Sequence, residues 1–156
     1  MSPIGTDDFW EDLLDFIEQG KVIPVIGEHA VTFGEGNEPF YPWLAPELAN
    51  RLGVNGARLA TTPTLNDVVR EHLMAGGERN LIYTRLFRIL REGCPVPGRA
   101  LRDLAGIAAF NLYLTTTFDP LLERALNAVR FGGADKTRTQ AFFPGAASKE
   151  IGRAHV

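Results

Sequence analysis

Apolar residues recur at helical spacing near the start of the chain. Phe9, Leu13, Phe16 and Ile17 share one face, and Trp10 and Leu14 widen it. Asp8 with Glu11 resembles a capping box, and Gly20 stands where a helix C-cap belongs, so the pattern predicts a helix over 8–19. VIPVI at 22–26 then reads as a short strand buried on both faces, as parallel strands are, with Pro24 removing one ladder donor. Residues 28–42 read as loop. Helices are predicted over 43–52, closed by Gly53, over 65–74, closed by Gly76-Gly77, and over 78–91 and 99–105. Between the last two, residues 93–98 form a turn-rich connector. FNLYLTTT at 110–117 carries the clearest extended alternation in the chain, and Asp119-Pro120 follows as N-cap and first helical residue. That helix continues through Leu121, Leu122, Ala125, Leu126 and Val129, and a last strand is expected around 139–143.

Two strands, each running into a turn and then a helix, predict an open α/β sheet. Ligands of such sheets bind at the carboxyl ends of the strands, which points to the residues just after Ile26 and just after Leu114.

A length of 156 residues suits one domain, and an apolar fraction of 45% with 22% charged is ordinary for a globular chain. The net charge of -3 lacks the basic excess of a chain held by phosphate contacts, so no nucleic-acid partner is expected. No apolar run approaches the ~18 residues of a membrane span, and the acidic start does not read as a signal peptide. A cytoplasmic protein without a membrane partner is the expectation. Cys94, the one cysteine, cannot form an internal disulfide or a structural zinc site alone. Arg85, Arg88 and Arg91 recur every third residue on one predicted helix, as a solvated face or a surface for an acidic partner. The closing residues 150–156, back-translated, fit the start of a common short-read sequencing adapter. They are therefore set apart from 1–149 as non-native, against the alternative of a tail that matches by chance.

GKVIPVIG at 20–27 and LYLTTTFDPLLERAL at 112–126, separated by a group of helices, together resemble the Sir2-like (sirtuin-related) family, and YPWLAPELANRLG at 41–53 is similar to the helix after its first loop. The resemblance covers most of 22–129. It implies a Rossmann-like open parallel sheet with an inserted helical group, here cut off at its C-terminal side. It also implies NAD as cofactor or substrate. With Cys94 alone, the branch carrying a four-cysteine zinc module is not expected, which leaves the zinc-free prokaryotic branch and its NAD hydrolases of anti-phage defence, fused to further sensing domains and capable of oligomerising.

By the same resemblance, Gly27, Thr115, Thr116 and Asp119 would contact the cofactor, and Thr117 and Asp119 would be the catalytic positions. Gly27 matches the first glycine of the family's Gly-Ala-Gly-x-Ser loop, but Glu28 and His29 replace the following Ala and Gly. A carboxylate repels a pyrophosphate, and a side chain at the second glycine hinders its approach. Thr117 stands where the family has an asparagine, and a hydroxyl cannot offer the amide's paired donor and acceptor. Gly27 also reads as a plain turn glycine, Asp119 as a helix cap, Thr115 and Thr116 as strand residues, and His29 and His72 as surface histidines. Glu123 and Arg124 read as a solvated helical face. No His lies between Ala125 and Lys149, where the family's general base is expected. Two functions stay open: an NAD glycohydrolase in the complete protein, or a degenerate module that binds a nucleotide or a protein without turnover.

Overall fold

The computed structural model describes residues 6–93 and 95–141. Among these it comprises six α-helices, a parallel pair of short strands and a small antiparallel hairpin, an α/β arrangement with no closed barrel. The helices are α1 (Thr6–Glu18), α2 (Phe40–Leu52), α3 (Leu65–Met74), α4 (Arg79–Gly93), α5 (Arg99–Gly106) and α6 (Leu121–Phe131). The parallel strands are β1 (Val25–Ile26) and β4 (Leu114–Thr115), and the hairpin is β2 (Thr32–Phe33) with β3 (Glu38–Pro39).

The core forms around α2. Phe40, Leu44 and Leu48 of this helix are completely buried, as are Val68 of α3, Leu101 of α5 and Leu121 of α6. α2 lies against α3 and α4, and α5 against α6. Gly53 ends α2 in the left-handed conformation (φ 65°) that glycine adopts without a Cβ penalty. α3 opens on a capping box in which the Thr64 hydroxyl accepts the Asp67 N–H and the Asp67 carboxylate accepts the Thr64 N–H.

Both strands are shorter than their patterns predict. β1 starts only at Val25, since Pro24 has no N–H and enters the ladder solely through its carbonyl, which accepts the Leu114 N–H at 2.9 Å. β4 starts only at Leu114, because the chain before it is drawn to α6. The Arg130 guanidinium donates to the carbonyls of Ala105 (2.7 Å), Ile107 (2.7 Å) and Phe110 (2.8 Å) and to the Tyr113 hydroxyl (2.7 Å). The expectation that β1 is buried on both faces is corrected: Ile26 points into the core, whereas Val25 is 64% exposed and its register partner Leu114 51% exposed. The helices cover one side of this small sheet.

The hairpin arises inside the stretch read as loop. Thr32 pairs with Pro39 and Phe33 with Glu38 around a turn containing Gly34 (φ 68°) and Asn37 (φ 53°). Pro97 adds an isolated bridge to Phe33, and Gly98 fits tightly against Thr32, where a Cβ would meet the Thr32 carbonyl carbon at 2.8 Å. Residues 139–141 of the last expected strand are not extended into a sheet, and the remainder of it, with Cys94 and 150–156, lies outside the described residues. No helix of the described residues is long and apolar enough to cross a membrane.

Candidate functional site

The parallel pairing of β1 with β4 decides where the two sequence motifs meet. Val25 stands opposite Leu114 and Ile26 opposite Thr115, and the Thr116 N–H donates to the Ile26 carbonyl at 3.0 Å. Gly27 and the Thr115–Asp119 segment therefore leave the sheet side by side at the carboxyl ends of the strands. The Thr116 hydroxyl reaches the Ile26 carbonyl at 3.4 Å, and a Cβ on Gly27 would lie 3.7 Å from that hydroxyl oxygen. Thr115 and Thr116 are exposed, and Thr117 is half-buried.

After Gly27 the chain makes a short 3-10 turn, Glu28–Ala30, in which the Ala30 N–H donates to the Gly27 carbonyl and the Val31 N–H to that of Glu28. A turn this short aligns few peptide dipoles, and its first residue is an acid, so it lacks the attraction for an anion that a long helix start provides. Gly27 itself has φ -103°, a conformation open to any residue. The His29 side chain is fully exposed, with the Glu28 carboxylate 4.0 Å away.

Asp119 is engaged by both of its oxygens. Oδ1 accepts the Leu121 N–H at 3.0 Å in the manner of a helix cap, and Oδ2 accepts the Tyr41 hydroxyl at 2.9 Å. The Tyr41 ring meets Phe118 edge-to-face with centroids 5.7 Å apart. Burial, and then the neighbouring Asp119 charge, hold the Tyr41 hydroxyl well above the ordinary tyrosine range. Tyr41 is thus a member of the site that the sequence did not reveal. It lies 78 residues from Asp119, and no local pattern signals that contact.

Other residues singled out in the sequence lie elsewhere. His72 is 7% exposed on α3, its ring packed over Gly77 and its Nε2 3.4 Å from the Glu78 carbonyl, so it is a core residue and not a surface one. Arg124 is half-buried and donates to the carbonyls of Leu90 (3.4 Å) and Pro95 (3.3 Å), while Glu123 accepts the Thr139 hydroxyl at 3.0 Å; neither belongs to a merely solvated face. A 340 Å³ depression is lined by Val54, Arg58, Glu71, His72 and Gly77 and by no residue of the two strand ends. Among the described residues no cluster of His, Cys, Asp and Glu is arranged to hold a metal ion.

Set against known protein families, curated proteins and solved structures, the chain matches no family model, no curated protein and no solved structure.

Proposed function

We propose that the strands and helices of this chain form a Rossmann-like, sirtuin-related fold that takes NAD at the carboxyl ends of β1 and β4. The observation that carries the reading is the parallel register itself, which brings Gly27 against Thr116 although 89 positions separate them in the chain. The residues present fit the ribose part of such a ligand, since Thr115 and Thr116 are exposed at the strand ends and a threonine hydroxyl can donate and accept. They fit the pyrophosphate less well, because Glu28 and a three-residue turn stand where a helix start would be favourable.

A module that binds without cleaving is favoured over a glycohydrolase by one specific observation. Asp119 is committed to Leu121 and Tyr41 through both oxygens, which leaves its carboxylate little freedom to orient a sugar or a water. Thr117 adds no amide in its place.

Calorimetric titration with NAD, with nicotinamide release followed in parallel, tests both parts. Binding at micromolar to millimolar affinity without release is expected. Gly27→Ala tests the location: its φ and its 3.7 Å clearance tolerate a methyl group in the free protein, so thermal stability should hold while NAD affinity falls by about tenfold as the backbone is kept from the ligand. Equal affinity in Gly27→Ala and the parent would remove the strand ends as the site, and rapid nicotinamide release would replace the binding module by the hydrolase.

A further inference from the structure

The charges and apolar faces of two helices remain to be matched. α1 carries Phe9, Trp10, Leu14 and Phe16, each about half exposed or more, and its other side is acidic with Asp8, Glu11, Asp12, Asp15 and Glu18 and no Lys or Arg. Among the described residues none of these acids has a cationic partner. A helix of 13 residues is marginal in water on its own, and most helical stability comes from burying such an apolar face. α4, of 15 residues, presents the complement. Tyr83 and Phe87, one turn apart, are 63% and 66% exposed and flanked by Arg79, Arg88 and Arg91. Arg91 lies over the Phe87 ring at 6.0 Å, and neither it nor Arg79 is paired with an acid among the described residues. Arg88 has only a 3.9 Å contact to Glu92, which Arg51 already engages at 2.8 Å.

We propose that α1 of one copy docks on the outer face of α4 of a second copy, and that the exchange is reciprocal, giving a closed dimer. Its aromatic residues cover Tyr83 and Phe87, and the acids at the two edges of that face, Asp12 and Glu18, meet the arginine rim. Both halves of the complementary pair occur on the same chain, so two copies can each supply what the other lacks, as an isologous two-fold interface requires. This assigns to the arginines of α4 the acidic partner that their spacing suggests, independently of the nucleotide reading. Arg85 takes no part, because it is turned inward with its Nε buried.

Sedimentation equilibrium of the whole chain over a range of concentration and salt tests this. A dimer is expected that weakens as salt rises, since screening acts on the charged rim. Phe87→Ala should raise the dissociation constant by about tenfold or more, as truncation of a central aromatic anchor does. Arg88→Glu with Arg91→Glu should do the same, and adding Asp12→Arg with Glu18→Arg should restore association, an outcome that lost folding could not mimic. Trp10 emission, taken as the difference from Trp10→Phe because Trp43 also emits, should shift to the blue with dimerisation. A monomer at every concentration overturns the proposal, whether Trp10 is exposed or protected, the latter meaning that α1 folds back on its own molecule. So does a dimer that ignores the α4 substitutions but is broken by Val25→Glu, which would put the interface on the open sheet face.

Discussion

At the residue scale the most informative contact is the hydrogen bond from Tyr41 to Asp119. It joins the start of α2 to the start of α6 across the strand ends, and its donor titrates. Since the folded state holds the Tyr41 proton more tightly than the unfolded chain, the sign of the pH effect follows. Below the ordinary tyrosine value of about 10, both states are protonated and the contribution is complete. Above it the unfolded chain loses its proton first, so stability declines as pH rises. Tyr113, also raised by burial, adds a decline in the same direction. Tyr41→Phe should cost about 1 kcal/mol at neutral pH and flatten the alkaline decline, leaving the part due to Tyr113. Thermal melts of both proteins between neutral pH and pH values above the ordinary tyrosine value measure it; parallel declines would show that Tyr41 is not the group responsible. Half of this contact was legible. Asp119 before Pro120 reads as a cap from its neighbours alone, and its carboxylate does accept the N–H of the first helical residue, Leu121, although the cap position itself falls on Pro120. Tyr41 does not, because what makes it part of the site is tertiary.

At the scale of elements, the helical periodicity located the described α-helices to within a few residues, because most of these apolar stripes are the faces that pack, α3 and α4 on α2 and α5 on α6, while α1 was located by its stripe although much of that stripe is exposed. The largest displacement is α2, which begins at Phe40 and not near Trp43, and so takes in Pro42 in its first turn, where a missing N–H costs nothing. β1 and β4 were legible as strands but not in extent, the hairpin of β2 and β3 was not legible at all, and Arg130 is the reason at β4. Its guanidinium satisfies carbonyls at the end of α5 and in the approach to β4 that would otherwise need a strand or water. No periodicity announces such a residue, since an arginine late in an amphipathic helix reads as surface. Its fork is what matters. Arg130→Ala should destabilise by about 3 kcal/mol, because several half-buried carbonyls lose a charged donor together. Arg130→Lys should recover little, because an ammonium lacks the planar fork that reaches all of them. Urea unfolding of the two variants decides this: a lysine variant as stable as the parent would mean that charge alone suffices.

At the scale of the whole molecule, the helices pack on one side of β1 and β4 and leave the other side open. Ile23, Val25, Leu112 and Leu114 are exposed there, and the alternation along each chain turns Ile26 and Tyr113 the opposite way. Parallel strands usually have both faces covered, so this apolar surface is unusual for its topology. The sequence indicates buried strands because every residue of VIPVI is apolar, and only the arrangement of the helices distinguishes the covered positions from the open ones. An open apolar face should bind the dye ANS in the native state and limit solubility. Val25→Thr combined with Leu114→Thr should therefore lower ANS fluorescence and raise solubility. The pair should change folding stability by no more than about 1 kcal/mol, since both side chains are more than half exposed and threonine retains the strand preference of a β-branched residue. The two observables separate the alternatives. Reduced dye binding at unchanged stability is what an uncovered face gives. A large loss of stability would mean that these residues are buried in solution, and therefore that something covers the sheet there.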